Sequence, residues 1–313
     1  MNIYIYGTGA VGAYVGSLLY EKKCNILFLS RGQTFLDIKS NGLELKTSKL
    51  SHAKIYPEIY DTNFSKQQKD FQFEADLVIY CVKSYHNKES IDYLYDLFKK
   101  NVPFILTLQN GFRATEQLYD FFGEKVLTGA AYIDAILSEK GKVFETGGDP
   151  KIVLGSIFNN ELDILTKIFD LMNSDELAIE LSKDIKSVIW RKLMYISSLS
   201  GIMCLYRQPL ENILTDKTSQ HLLKELITET YNTSIKNNAN IHESEIQKVF
   251  DELYYNQPNS ISSMYEDMKK GNLIEVDAIQ KYVSDIASTN NLPVPFTDLI
   301  STVLSKYIEF IEK

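Results

Sequence analysis

The chain opens with a short apolar run that leads directly into three closely spaced glycines. The run "MNIYIY" has the composition of a buried strand, and residues 10–22 have the apolar spacing of a helix. This strand–loop–helix order is the context that a G-x-G-x-x-G motif requires for dinucleotide binding. A tight turn that binds nothing is the alternative on this motif alone. The residues of the loop are Gly7, Thr8, Gly9, Ala10, Val11 and Gly12.

The rest of the first half alternates short apolar runs with amphipathic segments. The runs "NILFLS", "DLVIYCV" and "PFILTL" resemble strands buried on both faces, and helical patterns cover residues 84–98 and 114–122. This alternation predicts an α/β fold with a doubly wound parallel sheet of Rossmann type. We expect "VLTGAAYIDAIL", "GKVFET" and "KIVLGS" to extend the same sheet in a mixed or antiparallel manner. A helix near 159–173 and a strand at "LAIELS" complete this half.

After Ser182 the pattern becomes helical throughout. No Gly/Ser-rich linker separates the two halves. We therefore expect a Rossmann-type domain over residues 1–183 and an all-helical domain over 184–313. The predicted helices of the second domain cover residues 184–206, 216–238, 242–255, 262–270, 275–290 and 295–312.

Charge and cysteine content exclude several classes of function. The formal charge of −8 argues against nucleic acid or an anionic membrane surface as the main partner. Cys24, Cys81 and Cys204 are far apart and no histidines cluster, so we predict neither disulfides nor a metal site. We see no signal-like start and no apolar run near the ~20 residues of a membrane helix. We expect a cytoplasmic protein.

The residues after the predicted strands indicate which dinucleotide would bind. An NAD-preferring site has an acid at the end of the second strand, whereas this chain has Ser30 and Arg31 there. The guanidinium of Arg31 suits a 2′-phosphate, so we predict NADP(H) as cofactor; an ordinary exposed arginine is the alternative. Lys83 and Asn110 follow two further strands and should face the cofactor, although Asn110-Gly111 is also simply a good turn sequence. We interpret His86 as a surface residue.

One lysine of the second half lies within an apolar helix pattern. "KDIKSVIWRKLMYISSLSG" predicts a helix that begins near Asp184, with Lys192 beside its apolar stripe. A lysine in apolar surroundings gives up its proton more readily than a solvated one, which suits a general acid. A solvated surface lysine is the alternative on the helix pattern alone.

Five motifs in a fixed order carry a family resemblance over essentially the whole chain. "GTGAVG", "CVKSY", "LQNGF", "IWRKL" and "SSMYEDMKKGNLIEVDAI" resemble the ketopantoate reductase (2-dehydropantoate 2-reductase) family. The resemblance implies that Lys192 protonates the ketone oxygen of a 2-oxo acid and that Asn110 helps to hold lysine and substrate. It implies that Ser263 binds the substrate carboxylate and that Glu275 binds substrate and positions the lysine. The residues that match the family's dinucleotide contacts are Gly7, Gly9, Gly12, Arg31 and Lys83.

The resemblance implies NADPH-dependent reduction of ketopantoate to pantoate, for pantothenate and coenzyme A synthesis, but three positions depart from the family pattern. Asparagines are usual four and eight residues after the lysine, where this chain has Ile196 and Ser200. A glycine is usual six residues after the acid, where it has Lys281. These changes alter the helix face that would contact the substrate. They leave two alternatives open, a reductase of another 2-oxo acid and a non-catalytic NADP(H) sensor. A homodimer is also open.

Two of the implied site residues have structural alternatives. Ser263 has Glu266 three residues later, which is the spacing of a capping box, and Ser262 is the alternative helix cap. Glu275 is alternatively a solvated acid in the first turn of the following helix, where the helix dipole favours it.

Overall fold

The chain forms two compact units. The computed structural model describes residues 1–22, 24–49, 51–64, 74–138, 141–158, 163–257 and 259–311. The first unit consists of Met1–Gln109 and Ala114–Ile185, and the second of Asn110–Arg113 and Lys186–Lys313. The predicted boundary after residue 183 lies two residues before this division. The membership of Asn110–Arg113 in the second unit was not expected from the sequence.

The first unit is built on a large, mostly parallel sheet. Its strands are β1 (Asn2–Tyr6), β2 (Asn25–Ser30), β3 (Glu44–Lys46), β4 (Glu58–Asp61), β5 (Leu77–Tyr80), β6 (Phe104–Thr107), β7 (Val126–Tyr132), β8 (Ala135–Ser138), β9 (Lys142–Glu145), β10 (Lys151–Gly155) and β11 (Ala178–Leu181). Eight of them form a sheet in the order β11-β10-β7-β6-β5-β1-β2-β4. Neighbouring strands are parallel except for the antiparallel pair β7 and β10. The predicted doubly wound Rossmann-type sheet is confirmed.

Helices cover both faces of this sheet. Side chains of β1 alternate between two cores: Ile3 and Ile5 pack with residues of α1, and Tyr4 and Tyr6 pack with residues of α3 and α4. Burial on both faces explains why the central strands read as continuous apolar runs. The helices in this part of the chain are α1 (Ala10–Glu21), α2 (Gly32–Asn41), α3 (Asn87–Phe98), α4 (Arg113–Phe122) and α5 (Asp163–Met172).

A second, small sheet corrects one expectation. β8 and β9 do not extend the main sheet but form a separate three-stranded sheet with β3, in the order β3-β9-β8. Along β9, Val143 and Glu145 are buried whereas Lys142 and Phe144 are exposed. This alternation is typical of a sheet with one covered face, and the sequence "GKVFET" already contains it. The predicted helix near 159–173 is observed over α5, and residues 159–162 lie outside the described residues.

The second unit is helical in the residues that the structure describes. One predicted boundary is wrong: the helix predicted from residue 275 begins five residues later, after turns at 276–279. The helix predicted over 242–255 is observed from Ser244 and ends in a π-helical segment at Glu252–Asn256. The α-helices are α6 (Ile185–Tyr206), α7 (Leu210–Ile213), α8 (Lys217–Lys236), α9 (Ser244–Asp251), α10 (Ser263–Lys269), α11 (Gln280–Thr289) and α12 (Pro295–Ile311).

Helix α6 is unusually apolar. Contrary to our expectation, it is long and apolar enough to cross a membrane by length and composition, and within the described ranges it is the only such helix. However, 72% of the stretch concerned is buried inside the protein, as is typical of a central core helix. Trp190, Leu193 and Met194 are completely buried.

A buried acid ties α8 to the start of α12. The carboxylate of Glu229 accepts hydrogen bonds from the backbone of Phe296 (3.0 Å) and from the backbone and hydroxyl of Thr297 (both 2.7 Å). These donors lie in the first turn of α12, where N–H groups have no partner within the helix. Glu229 is therefore a helix cap supplied from another helix.

Replacement of this acid is expected to destabilise the fold. Glu229→Ala should lower the free energy of unfolding by about 2 kcal/mol, because the buried donors lose a charged acceptor. The matched change Glu225→Ala, one turn earlier on the same helix, should cost less than about 0.5 kcal/mol, since that acid is only partly buried. Urea unfolding of both variants measures the difference, and equal losses would contradict the capping role.

Candidate functional site

The glycine-rich loop connects β1 of the main sheet to α1. Gly9 is the cap residue of α1, no side chain caps this end, and no acid lies in the first turn. A helix N-terminus of this kind presents backbone N–H donors and partial positive charge, which favour an anion.

The three glycines of the loop differ in what surrounds them. A Cβ at Gly7, whose φ is +92°, would lie 2.6 Å from Val82 N, and one at Gly12 would lie 2.1 Å from Gly7 O. Both positions therefore require glycine for local packing. A Cβ at Gly9 would meet no atom within 4 Å, so the space in front of this residue is open. This open cradle at a helix N-terminus fits the pyrophosphate of a dinucleotide.

An open pocket adjoins the loop. Five of the predicted cofactor residues line it, namely Gly7, Thr8, Gly9, Arg31 and Lys83. His86, which we interpreted as a surface residue, has 36% of its side chain exposed and also lines the same pocket. The other lining residues are Tyr6, Leu29, Ser30, Thr34, Thr62, Cys81, Val82 and Ser90.

Charged groups lie at the end of β2, where the nucleotide preference of such a site is set. Arg31 directly follows β2, and its Nη1 lies 2.6 Å from Oε1 of Glu89. The same oxygen lies 3.1 Å from Nδ1 of His86. Burial raises the pKa of the Cys81 thiol to about 12, so this pocket residue is neutral at physiological pH. Sequence reasoning missed Glu89, because no motif includes it.

A buried amide network lies behind the loop that carries Lys83. Nε2 of Gln109 donates to Val82 O and to Oδ1 of Asn87, both at 2.6 Å. Nδ2 of Asn87 in turn donates to Oε1 of Gln117 at 2.8 Å. The network fixes the ends of β5 and β6 relative to α3 and α4. The sequence offered no signal for it beyond the polar residues that follow each strand.

Lys192 lies in the central helix of the second unit. Lys192 is 9% exposed, as expected for a lysine beside the apolar stripe of the helix. The preceding Arg191 fixes this turn of α6, since it pairs with Glu245 (3.2 Å) and Glu252 (2.8 Å). Burial alone would lower the pKa of Arg191, but the hydrogen bonds to these two carboxylates raise it above its ordinary value. The turn that carries Lys192 is thus held by an ion-paired neighbour.

The two polar candidates after α9 differ in exposure. Ser262 is the cap of α10, and its hydroxyl accepts from Tyr265 N at 3.0 Å. The capping-box alternative for Ser263 is therefore wrong, and Ser263 is an exposed first residue of the helix. The alternative of a solvated first-turn acid is wrong for Glu275, which is 7% exposed and precedes α11 by five residues.

The Asn110 loop lies against the segments that carry Lys192 and Glu275. Gly111 has φ +78°, and a Cβ there would lie 2.6 Å from Ala278 O and 3.6 Å from Cδ2 of Leu193. Ala278 N donates to Glu275 O at 3.2 Å, and Leu193 follows Lys192 in the chain. Three of the predicted catalytic and substrate residues therefore lie on mutually packed segments of one unit. Asn110 is not among the residues that line the dinucleotide pocket described above.

Two residues after Asn110 fix this loop to the helical unit. The buried ring of Phe112 packs against Trp190 and stacks on Tyr282, at centroid distances of 5.4 and 5.6 Å. The guanidinium of Arg113 binds Asp285 at 2.5 Å. Sequence reasoning missed these contacts, although both residues adjoin the "LQNGF" motif.

Lys281, which stands where the family pattern has glycine, lies at the surface. Lys281 is about half exposed and binds both oxygens of Asp285, at 2.9 and 3.1 Å. Burial would raise the pKa of Asp285, but the hydrogen bonds from Lys281 and Arg113 outweigh it and lower the pKa below its ordinary value. The lysine therefore adds a second cation to the acid that holds Arg113.

The two altered positions of the lysine helix have different environments. Ile196 is partly buried and presents only carbon to its surroundings. The hydroxyl of Ser200 donates to Ile196 O at 2.6 Å and accepts from Nε2 of Gln280 at 2.8 Å. Nε2 of Gln280 also donates to Ser197 O at 2.9 Å, so this amide ties α11 to α6. The substrate contacts predicted for Ile196 and Ser200 stay predictions.

Over the parts of the chain that the structure covers, no three His, Cys, Asp or Glu residues are placed to hold a metal ion.

Solved structures of the same fold cover the whole chain. A 2-dehydropantoate 2-reductase from Geobacter metallireducens superposes with a TM-score of 0.88 at 23% identity, over 98% of this chain and 99% of that one. D-mandelate dehydrogenase, solved with NADH and anilino(oxo)acetate, gives 0.88 at 19% identity, over 100% and 99%. A dimeric ketopantoate reductase from Staphylococcus aureus gives 0.82 at 20% identity, over 99% and 100%.

Sequence relatives and family models agree with this fold. An uncharacterized oxidoreductase of Bacillus subtilis, YkpB, is 25% identical over 98% of this chain and 99% of its own length. A 2-dehydropantoate 2-reductase of Pyrococcus abyssi is 25% identical over 96% and 95%. The model of ketopantoate reductase PanE/ApbA matches residues 3–159, and that of its C-terminal region matches residues 184–308. The chain is therefore an oxidoreductase that belongs to the ketopantoate reductase PanE/ApbA family.

Proposed function

We propose that this protein reduces a 2-oxo acid to the 2-hydroxy acid with NADPH, and that ketopantoate is its substrate and pantoate its product. The observation that carries the proposal is the packing of the Asn110 loop against the segments of Lys192 and Glu275. The reaction would serve pantothenate and coenzyme A synthesis in the cytoplasm. A homodimer is proposed by analogy with the dimeric staphylococcal relative.

The first unit would hold the cofactor. The N-terminus of α1 and the open space at Gly9 accept the pyrophosphate, Arg31 binds the 2′-phosphate, and Lys83 contacts the dinucleotide from the end of β5. When bound, NADPH supplies the hydride that reduces the ketone.

The second unit would supply the acid. As the ketone is reduced, its oxygen gains negative charge, which the ammonium of Lys192 stabilises before Nζ transfers a proton to that oxygen. The apolar neighbours of Lys192 exclude water and strengthen this interaction. Glu275 and Asn110 position the lysine and the substrate, and Ser263 binds the substrate carboxylate.

A substrate panel tests the proposal directly. Loss of NADPH absorbance is followed with ketopantoate and with other 2-oxo acids, and NADH is run in parallel. A clear preference for ketopantoate with NADPH is the expected result. NADPH binding with no oxidation by any acid would instead support the sensor alternative.

A second substrate class is favoured by Ile196. The apolar side chain replaces an amide that the family resemblance places against the substrate. The surface at Ile196 therefore suits a more apolar 2-oxo acid. In this case the same panel shows faster turnover of an apolar or aromatic 2-oxo acid than of ketopantoate.

Replacement of Ile196 distinguishes the two substrate classes. If the substrate is an apolar acid, Ile196→Asn should raise kcat/KM for ketopantoate about tenfold relative to that acid, because a hydroxyl then gains a partner. Ile196→Val, which keeps the surface apolar, should leave the ratio unchanged within about twofold. An equal ratio of the two kcat/KM values in both variants would exclude residue 196 as the determinant of substrate specificity.

A further inference from the structure

Arg31 places a cation at the end of β2, and helix α3 places the carboxylate of Glu89 beside it. Glu89 lies in the first turn of α3, and its Oε1 is 2.6 Å from Nη1 of Arg31. His86, which lines the dinucleotide pocket, lies 3.1 Å from the same oxygen. Arg31 also lines this pocket, so Glu89 contacts two residues of the pocket wall, although β2 itself ends without an acid.

The two members of this pair suit different nucleotides. A guanidinium binds a 2′-phosphate through two donors, whereas a carboxylate accepts a hydrogen bond from a ribose 2′-hydroxyl and repels a phosphate. Since Glu89 already accepts from Arg31, it competes with a 2′-phosphate for the same donors. The pair is partly exposed, with 36% of the Arg31 side chain and 58% of the Glu89 side chain accessible, so it is weak enough for a phosphate to displace.

We propose that Glu89 determines cofactor specificity by supplying from α3 the carboxylate that β2 lacks, so that the protein binds NADH as well as NADPH. The inference rests on the proposed dinucleotide function of this pocket. Glu89 favours the 2′-hydroxyl and opposes the 2′-phosphate, and Arg31 does the reverse. The preference of the protein for NADPH is thus smaller than Arg31 alone would give.

Binding of the two cofactors without substrate tests the proposal. NADPH and NADH are titrated into the full chain and into Glu89→Gln, with nicotinamide fluorescence giving each Kd. Glu89→Gln should lower the Kd for NADPH about three- to tenfold and raise that for NADH by a similar factor. Asp92→Asn, the same charge change at an exposed position of α3, should move either Kd by less than about twofold.

A double variant shows whether Glu89 acts through Arg31. In the Arg31→Ala background, the gain in NADPH affinity from Glu89→Gln should be clearly smaller, because the competition for the guanidinium is gone and only the repulsion between the carboxylate and the 2′-phosphate remains. An undiminished gain, or equal shifts of both cofactors, would overturn the proposal while leaving the reductase function intact. Failure of the unmodified protein to bind either cofactor would overturn the proposed function together with this inference.

Discussion

Replacement of Lys192 with alanine is expected to lower turnover of the 2-oxo acid by about 100- to 10,000-fold, the usual contribution of a general acid. In the proposed mechanism the ammonium both stabilises the developing oxyanion and supplies its proton, so the variant loses both contributions. The Kd for NADPH should stay within about twofold, because the dinucleotide pocket is formed by residues of the first unit. Steady-state kinetics and a fluorescence titration on the same preparation give both values.

Two further variants control for loss of structure. Lys192→Met keeps the volume of this buried side chain, so a similar loss of turnover there excludes a cavity as the cause. Lys186→Ala, six residues earlier on the same helix, should retain turnover within about twofold. Substantial turnover in Lys192→Met would exclude Lys192 as the acid.

The second large effect is expected at the glycine loop. Gly9→Ala should weaken NADPH binding at least about tenfold, because the added methyl group projects into the space where we propose that the pyrophosphate binds. Its backbone has φ −74° and its Cβ would meet no atom within 4 Å, so the free energy of unfolding should change by less than about 1 kcal/mol. Loss of binding without loss of stability is the expected result.

Gly12→Ala is the matched contrast within the same loop. Its Cβ would lie 2.1 Å from Gly7 O, so this variant should lose about 1–3 kcal/mol of stability from overpacking, and NADPH binding as well. Thermal unfolding and cofactor titration of the two variants separate the two effects. Unchanged NADPH affinity in Gly9→Ala would show that no pyrophosphate lies at this loop.

The sequence predicted those parts of the fold that depend on local pattern. The continuous apolar runs of β1, β2, β5 and β6 arise because helices cover both faces of the sheet, and each run lies within two residues of the observed strand. The helical second half followed from its periodicity in the same way. The ends of elements were less predictable. Glu275 has helical spacing with α11, yet it lies in turns before that helix.

Features that depend on distant partners were not predicted from the sequence. Glu89 is an ordinary first-turn acid of α3 until the fold places Arg31 beside it, 58 residues away in the chain. The amide network of Gln109 and Asn87 also has no local signature. The candidate site was located mainly by family resemblance, since Lys192 and Ser263 have no distinctive helix pattern of their own.

Because Asn110–Arg113 packs with the helical unit, this segment should fold late. Arg113 and its partner Asp285 are 172 residues apart in sequence, and Phe112 needs the ring of Tyr282 at a similar separation. During synthesis, this loop leaves the ribosome long before α11 exists. Its native contacts therefore form only after almost the whole chain has been made, so the segment that carries Asn110 should be among the last to become ordered.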